Sequence, residues 1–257
     1  MPDLSDAKLL ILGGTREATQ LAYLCAEMNV SATISYAGRV ERVKPQVIDH
    51  RVGGFGGVKG LAYYIAQEQI THVVDATHPF AAQMSDHAVR ACAMTGRPLC
   101  ALTRAAWEAQ AGDRWLSVPS IEAAVATLVG RRRTVFLAIG RMHIDQFAAQ
   151  PQHRYILRLV DPPKTEPLLP DHVSIISRGP FEYDDDVELM RKHRVDVIVS
   201  KNAGGLGARS KIDAARDLGK QVIMIDRPAV PARVETFSAQ EALEWVAAHS
   251  GGGGAGL

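Results

Sequence analysis

The sequence predicts an α/β protein made of two Rossmann-like, doubly wound domains with parallel sheets. Three observations lead to this prediction. The chain opens with an apolar run, a glycine turn and a helical period. Apolar runs of strand length then alternate with amphipathic helical segments. The length of 257 residues is sufficient for two such domains.

The turn after the first predicted strand, residues 8–12, is typical of a phosphate-binding loop. It reads Gly13-Gly14-Thr15-Arg16-Glu17, and residues 18–28 continue with helical spacing. Glycines let the backbone approach a pyrophosphate closely, and the free N–H groups at a helix start attract its charge. We expect Thr15 to cap the helix and to be able to donate to a phosphate. The full G-x-G-x-x-G spacing is absent, so a plain turn is the alternative for this motif alone.

The end of the second predicted strand, residues 30–36, favours NADP(H) over NAD(H). An NAD enzyme usually has an acidic residue there, which binds the 2′-hydroxyl of the adenosine ribose. This chain has Tyr36 and Arg39 instead, with no carboxylate before Glu41. We therefore expect Tyr36 and Arg39 to meet a 2′-phosphate. The alternative is that Arg39 and Arg42 are solvated loop charges.

The fourth predicted strand, residues 71–75, runs directly into an unusual turn, Thr77-His78-Pro79. Ligands of open parallel sheets bind at the carboxyl ends of strands, so we expect Thr77 and His78 to contact the cofactor or the substrate. Pro79 is expected to begin the next helix at its first position. The alternative is that His78 only caps that helix. The other elements predicted for this domain are strands over 47–52 and 98–102, a helix over 59–69 and a helix ending near residue 94.

The alternation of apolar runs lapses around residues 103–113, and we place the domain boundary there. The predicted division is a cofactor-binding domain over 1–103, a substrate-binding domain over 104–250 and a flexible glycine-rich tail over 251–257. For the second domain we predict strands over 114–118, 134–139, 154–159, 173–176, 195–200 and 221–225. The predicted helices span 120–129, 144–149, 183–193, 210–218 and 239–248.

Basic residues follow four of the predicted strands of the second domain. They are Arg141, Arg178, Lys201 and Arg227. A single such residue is usually a solvated surface charge, but four at one edge indicate a binding wall for a ligand with several anionic groups. No Ser-His-Asp set, HExxH motif or paired metal ligands occur, so neither hydrolysis nor a metal site is expected. Hydride transfer fits, because its chemistry is carried mainly by a cofactor. We therefore expect the cofactor and the substrate in the crevice between the two domains.

Composition restricts the partners and the compartment. The net charge of +1 provides no general attraction for nucleic acid. No run approaches the ~18 apolar residues of a membrane span, and the N-terminus does not resemble a signal peptide. Three cysteines without metal spacing are typical of buried thiols in a reducing compartment. We therefore expect a cytoplasmic protein without membrane or nucleic-acid partners.

Four motifs, taken together, resemble the precorrin-6A reductase family. They are residues 12–18, residues 75–81, residues 200–205 with Lys211, and residues 222–228. The resemblance extends from about residue 9 to the C-terminal helix. It implies two α/β domains and the NADPH-dependent reduction of one macrocycle double bond of precorrin-6A, giving precorrin-6B on the way to cobalamin (vitamin B12). It also admits neighbouring enzymes of that pathway as partners.

The resemblance also implies roles for individual residues. Gly13 to Arg16 would hold the pyrophosphate, and Thr77-His78-Pro79 would lie near the nicotinamide ribose. Precorrins carry many acetate and propionate groups, which implies basic residues at the substrate. The residues expected to bind substrate are Arg16, Arg141, Lys201, Asn202 and Arg227. Lys201 or His78 would place a proton or stabilise charge on the ring during reduction.

Other functions are compatible with the same motifs. One is an NADH-dependent cobalt-precorrin-6A reductase of the oxygen-independent route. Others are an NADPH-dependent enzyme acting on a different polyanion, a two-lobed nucleotide-binding protein without turnover, and an S-adenosylmethionine-dependent methyltransferase of the same pathway.

Overall fold

The computed structural model describes residues 4–37, 46–163, 165–177, 179 and 181–250. Arg39, Arg42, Arg178 and the tail at 251–257, all part of the sequence predictions, lie outside the described residues. The chain divides into two compact units. Unit 1 comprises Met1–Arg104 and Ala229–Leu257, and unit 2 comprises Ala105–Pro228.

The N-terminal part of unit 1 alternates strands and helices. Its elements are β1 (Lys8–Leu12), α1 (Arg16–Glu27), β2 (Ser31–Tyr36), β3 (Asp49–Val52), α2 (Val58–Gln67), β4 (His72–Asp75), α3 (Ala82–Thr95) and β5 (Leu99–Leu102). β1 is apolar on both faces because helices cover both sides of the sheet. Leu9 and Ile11 pack in one core, and Leu10 and Leu12 pack in the other.

Unit 2 contains a second set of alternating elements. They are β6 (Arg114–Val118), α4 (Ile121–Ala126), β7 (Thr134–Ala138), a 3₁₀ helix (Arg141–Ala149), β8 (Arg154–Leu159), β9 (His172–Ile176), α5 (Tyr183–Lys192), β10 (Val197–Lys201), α6 (Ser210–Asp217) and β11 (Gln221–Ile225). The sheet order is β6-β11-β10-β7-β8-β9, and all neighbouring strands are parallel. Helices α5 and α6 cover one face through a core that includes Phe136, Ile198 and Ile212.

The chain then returns to unit 1 with β12 (Val234–Thr236) and α7 (Ala239–Ser250). β12 pairs with β5 and completes a six-stranded parallel sheet of order β12-β5-β4-β1-β2-β3. This is the Rossmann strand order 3-2-1-4-5-6, with β12 as the sixth strand. Helix α7 packs beside α1, where Leu243 and Val246 share a core with Leu21.

The structure corrects the C-terminal part of the predicted division, which assigned residues 229–250 to the second domain. These residues belong to unit 1. β12 has only three residues, Val234-Glu235-Thr236, too short to give a recognisable alternation in the sequence. Without that strand, the sequence pattern assigns α7 to the preceding domain.

Two smaller predictions also need correction. Pro79 lies in a turn, and α3 begins three residues later at Ala82. The helix predicted over 144–149 starts at Arg141 and is a 3₁₀ helix. Within the described ranges, no helix combines the length and apolar character that crossing a membrane requires.

Candidate functional site

Unit 1 brings the two predicted cofactor motifs together. β1 and β4 are neighbours, with Leu12 aligned to Asp75, and the strand order reverses between them. The loops that follow, Gly13 to Thr15 and Ala76 to His78, therefore leave the sheet side by side. Ligands of open α/β sheets bind at this switch point. A hydrogen bond of 2.7 Å from Thr15 Oγ1 to the Ala76 carbonyl ties the two loops together.

The glycine loop has a backbone that only glycines allow. A Cβ on Gly13 would stand 2.8 Å from Ile34 Cγ1, and the Gly13 N–H donates to the Ser35 carbonyl at 2.8 Å. Gly14 has a φ of 120°, and no atom lies within 4 Å of where its Cβ would be. The loop is thus pressed against β2 on one side and open on the other. This shape fits a pyrophosphate.

Thr15 caps α1, as predicted, by accepting a hydrogen bond of 3.1 Å from the Ala18 N–H. Its hydroxyl proton is directed to the Ala76 carbonyl, so the side chain joins the two loops. Arg16 is exposed at the first position of α1. Beside it, Arg104 NH1 lies 2.6 Å from Glu17 Oε2. Arg104, which the sequence analysis did not select, offsets an acidic group that would otherwise repel a pyrophosphate.

A buried carboxylate holds the Thr77-His78 turn in place through hydrogen bonds. Asp75 is 2% exposed, and its Oδ1 accepts from the N–H and the hydroxyl of Thr77 at 3.1 and 2.7 Å. Its Oδ2 accepts from Ser85 Oγ at 2.6 Å and from Arg233 NH1. Arg233 belongs to the returning segment before β12. Asp75, Ser85 and Arg233 were all missed, because their role depends on contacts between residues distant in sequence.

His78 is exposed above this network. Its Nδ1 accepts from the Phe80 N–H at 3.2 Å, which places the proton of the neutral ring on Nε2. The Ala81 N–H donates to the His78 carbonyl at 2.7 Å, which closes the turn that contains Pro79.

Tyr36 is the last residue of β2, as predicted, and lies near β3. Its hydroxyl donates to Gln46 Oε1 at 2.8 Å, and burial raises the pKa of this phenol. The Gly53 N–H donates to the Tyr36 carbonyl at 2.8 Å. The ends of β2 and β3 and the glycine segment that follows are thereby joined.

Unit 2 repeats this arrangement with basic residues at its own switch point. β7 and β10 are neighbours, with Ala138 aligned to Ser200, and the strand order reverses between them. Arg141 is exposed after Gly140, whose φ is 74°. Lys201 is the half-buried last residue of β10. The two predicted cations therefore leave adjacent strands of one sheet.

Asn202 and Arg227 hold the loop after β10. Asn202 is buried, accepts from the Trp107 N–H at 2.8 Å and donates to the Trp107 carbonyl at 2.9 Å. Arg227 donates from Nε and NH2 to the carbonyls of Asn202 and Ala203, both at 3.1 Å. These side chains were expected to bind substrate; the structure shows them supporting the backbone beside Lys201. Gly204 permits the fold of this loop, since a Cβ there would stand 2.2 Å from the Ala105 carbonyl oxygen.

Buried charges lie beneath the same loop. Lys211 is 3% exposed, donates to the Ala208 carbonyl at 2.5 Å and lies 4.8 Å from the centre of the Trp107 ring. Burial, reinforced by Arg158, lowers the pKa of Lys211 to about 7. Arg158 pairs with the buried Asp186, which also accepts from Ser210 Oγ at 2.6 Å. This cluster joins β8, α5 and α6.

A groove of about 520 Å³ lies elsewhere on unit 1, at the amino ends of β5 and β12. Its lining includes Cys92, Arg97 and Leu99. Arg233 also lines the groove, whereas the glycine loop and the Thr77-His78 turn do not.

The fold and the site define the class: a protein of two Rossmann-like units, one with a glycine loop at its switch point and one with basic residues at its switch point. The family model described as precorrin-6x reductase CbiJ/CobK matches residues 8–247. The chain therefore belongs to the precorrin-6x reductase CbiJ/CobK family, and the resemblance seen in the four motifs is confirmed.

Named relatives agree with this membership. The precorrin-6A reductase of Rhodobacter capsulatus is 53% identical over 242 residues, covering 94% of this chain and 96% of the relative. That of Mycobacterium tuberculosis is 40% identical, covering 93% and 97%. A cobalt-precorrin-6A reductase of Priestia megaterium is 28% identical, covering 86% and 91%. A solved structure of a CobK precorrin-6A reductase superposes with a TM-score of 0.92 at 53% identity, covering 95% of this chain and 97% of the other.

Proposed function

We propose that this protein uses NADPH to reduce one double bond of the precorrin-6A macrocycle, giving precorrin-6B in cobalamin biosynthesis. The observation that carries the proposal is the pairing of the glycine loop with the Thr77-His78 turn at the switch point of unit 1. A dinucleotide needs both a pyrophosphate loop and a second loop near its nicotinamide half. Membership of the reductase family supports the reaction class.

The metal-free substrate is favoured over the cobalt-bearing one. The relatives named precorrin-6A reductase share 40–53% identity with this chain, whereas those named cobalt-precorrin-6A reductase share 25–28%. Substrate choice within a family depends on contacts with the substrate, and these diverge along with the sequence. The larger identity therefore supports the metal-free macrocycle.

We assign the cofactor to unit 1. NADPH supplies the hydride when it is bound. The Gly13 to Arg16 loop holds its pyrophosphate through the N–H groups that follow Gly13, with Arg104 balancing Glu17 nearby. Thr77, His78 and Pro79 line the nicotinamide ribose, on a turn whose position is fixed by Asp75.

We assign the peripheral carboxylates of the macrocycle to the basic residues. Arg141 and Lys201 at the switch point of unit 2, together with Arg16, bind them as cations. Asn202 and Arg227 position the loop on which Lys201 ends. Reduction of a double bond adds a hydride to one ring carbon and a proton to another. His78 and Lys201 are the side chains proposed to place that proton or to stabilise charge on the ring.

An anaerobic assay with precorrin-6A, run with NADPH and with NADH, tests the proposal. We expect loss of NADPH absorbance together with a change in the macrocycle spectrum. Faster turnover with NADH would support the proposed reaction but refute the assignment of NADPH as the cofactor. Tight NADPH binding without oxidation of either cofactor would refute the assignment of precorrin-6A as the substrate.

A further inference from the structure

We propose that Arg51 binds the 2′-phosphate of NADPH and selects this cofactor over NADH. The inference rests on the proposed use of a nicotinamide dinucleotide by unit 1. It concerns the one position at which the two cofactors differ.

Arg51 lies where the adenosine ribose is expected. It is in β3, aligned with Ser35 of β2, and its NH1 donates to Ser35 Oγ at 2.8 Å. The Ser35 carbonyl accepts from the Gly13 N–H of the glycine loop at 2.8 Å. One residue thus connects the loop assigned to the pyrophosphate with Arg51. In this fold the ribose of the adenosine half meets the end of the second strand.

The guanidinium of Arg51 is held by neutral acceptors. Besides Ser35 Oγ, they are the carbonyls of Gly53, at 3.0 Å from NH1, and Gly54, at 3.4 Å from NH2. Arg104, Arg158 and Arg233, by contrast, each pair with a carboxylate. Over the part of the chain that the structure describes, Arg51 has no carboxylate within ion-pair distance. Its positive charge therefore remains to be matched by an anion.

The orientation of the guanidinium leaves one edge for that anion. Both NH1 protons are used, whereas Nε has no acceptor among the described residues and NH2 makes only the long contact with Gly54. Nε and NH2 form the side edge of a guanidinium, which binds a phosphate through two parallel hydrogen bonds. The Phe55 ring, 3.9 Å from the central carbon, and the Tyr64 ring, at 5.1 Å, fix its plane.

This assignment differs from the one that the sequence suggested. Arg39 was chosen because it follows β2 directly, but it lies outside the described residues. Arg51 is twelve positions further along the chain, and only the parallel pairing of β2 with β3 brings it to Ser35.

The test compares Arg51→Gln with the wild type for binding and turnover of NADPH and NADH. 2′,5′-ADP and 5′-AMP serve as probes of the adenosine half. We expect Arg51→Gln to weaken the binding of NADPH and of 2′,5′-ADP by about tenfold to a hundredfold, because a charge-assisted bidentate contact is lost. NADH and 5′-AMP should change by less than about twofold. Arg90→Gln, at an exposed position of α3, is the matched control.

Three results would overturn the inference. The first is equal weakening of NADPH and NADH. The second is an unchanged preference in Arg51→Gln while Arg39→Gln abolishes it. The third is a wild type that binds 2′,5′-ADP no better than 5′-AMP, which would also refute the proposed cofactor. If Arg51→Gln does not fold, Arg51→Lys, which keeps the charge without the fork, must still lose part of the NADPH preference.

Discussion

Replacing Arg233 by Met should destabilise unit 1 and loosen the Thr77-His78 turn together. The substitution leaves Asp75 buried without its cationic partner. Removing one member of a buried ion pair typically costs about 3–5 kcal/mol. Asp75 would retain three donors, Ser85 Oγ and the N–H and hydroxyl of Thr77. We therefore expect the lower end, about 3 kcal/mol in the free energy of unfolding.

The measurement is urea unfolding at pH 7, together with NADPH binding on the folded variant. Arg97→Met is the control, because Arg97 is exposed, lines the same groove of unit 1 as Arg233 and should change stability by less than about 0.5 kcal/mol. The double variant Asp75→Asn with Arg233→Met removes both charges, so its loss should be smaller than the sum of the two single losses. A loss below about 1 kcal/mol in Arg233→Met, or strict additivity in the double variant, would refute the view that this pair holds the turn.

Three further perturbations test other parts of the site. Gly13→Ala should lower the free energy of unfolding by about 1–3 kcal/mol and weaken NADPH binding, because the new Cβ meets Ile34. The control Gly207→Ala, whose Cβ meets nothing within 4 Å, should retain the stability of the wild type. Asn202→Ala should raise the KM for the macrocycle while leaving the Kd of NADPH unchanged; a changed Kd would contradict the assigned role. Lys211 has a folded pKa of about 7, below its unfolded value, so the unfolded chain binds the extra proton above pH 7. Stability of the wild type should therefore rise relative to Lys211→Met from pH 7 to 9, by at most about 1.4 kcal/mol per pH unit, and parallel pH profiles would exclude this.

The sequence predicts well those elements of the fold that depend on local residue patterns. The strands Arg114–Val118, Arg154–Leu159 and Gln221–Ile225 were predicted with the bounds that the structure gives them. Each begins with a polar residue, continues with mainly apolar residues over the length of a strand, and is bounded by turn or helix signals, so the local pattern identifies it. β12 has three residues and its place is set by pairing with β5, which no local pattern encodes.

The candidate site divides in the same way. Gly13, Thr15 and Thr77 were selected from turns that directly follow strands, and the structure places them at one switch point. Asp75 and Arg233 meet across 158 positions of the chain, so no spacing rule could pair them. Local turn chemistry is therefore predictable, whereas the contacts that hold a turn in place are not.

Asn202 and Arg227 have structural contacts that residue type alone does not predict. An amide and a guanidinium after adjacent strands are suited to substrate carboxylates, and the resemblance implied that role. In the fold, however, the backbone after β10 turns through Gly204, at a φ of 72°, and leaves carbonyls of residues 202 and 203 that need donors. Arg227 supplies those donors, and Asn202 links the loop to Trp107.

The two sheets share one strand order, yet the sixth strand is the first strand of its sheet along the chain in unit 2 and the last one in unit 1. In unit 2 the strand at that position, β6, precedes the other five, whereas in unit 1 it is β12, which follows them. An edge strand is hydrogen-bonded on one side only, so it can be supplied from a distant part of the chain without interrupting the central pairs. In unit 1 the returning segment also carries Arg233 to Asp75, which holds the Thr77-His78 turn. The Thr77-His78 turn then depends on residues added after unit 2 is complete, and a chain ending before residue 229 should lose cofactor binding even where β1 to β5 are intact.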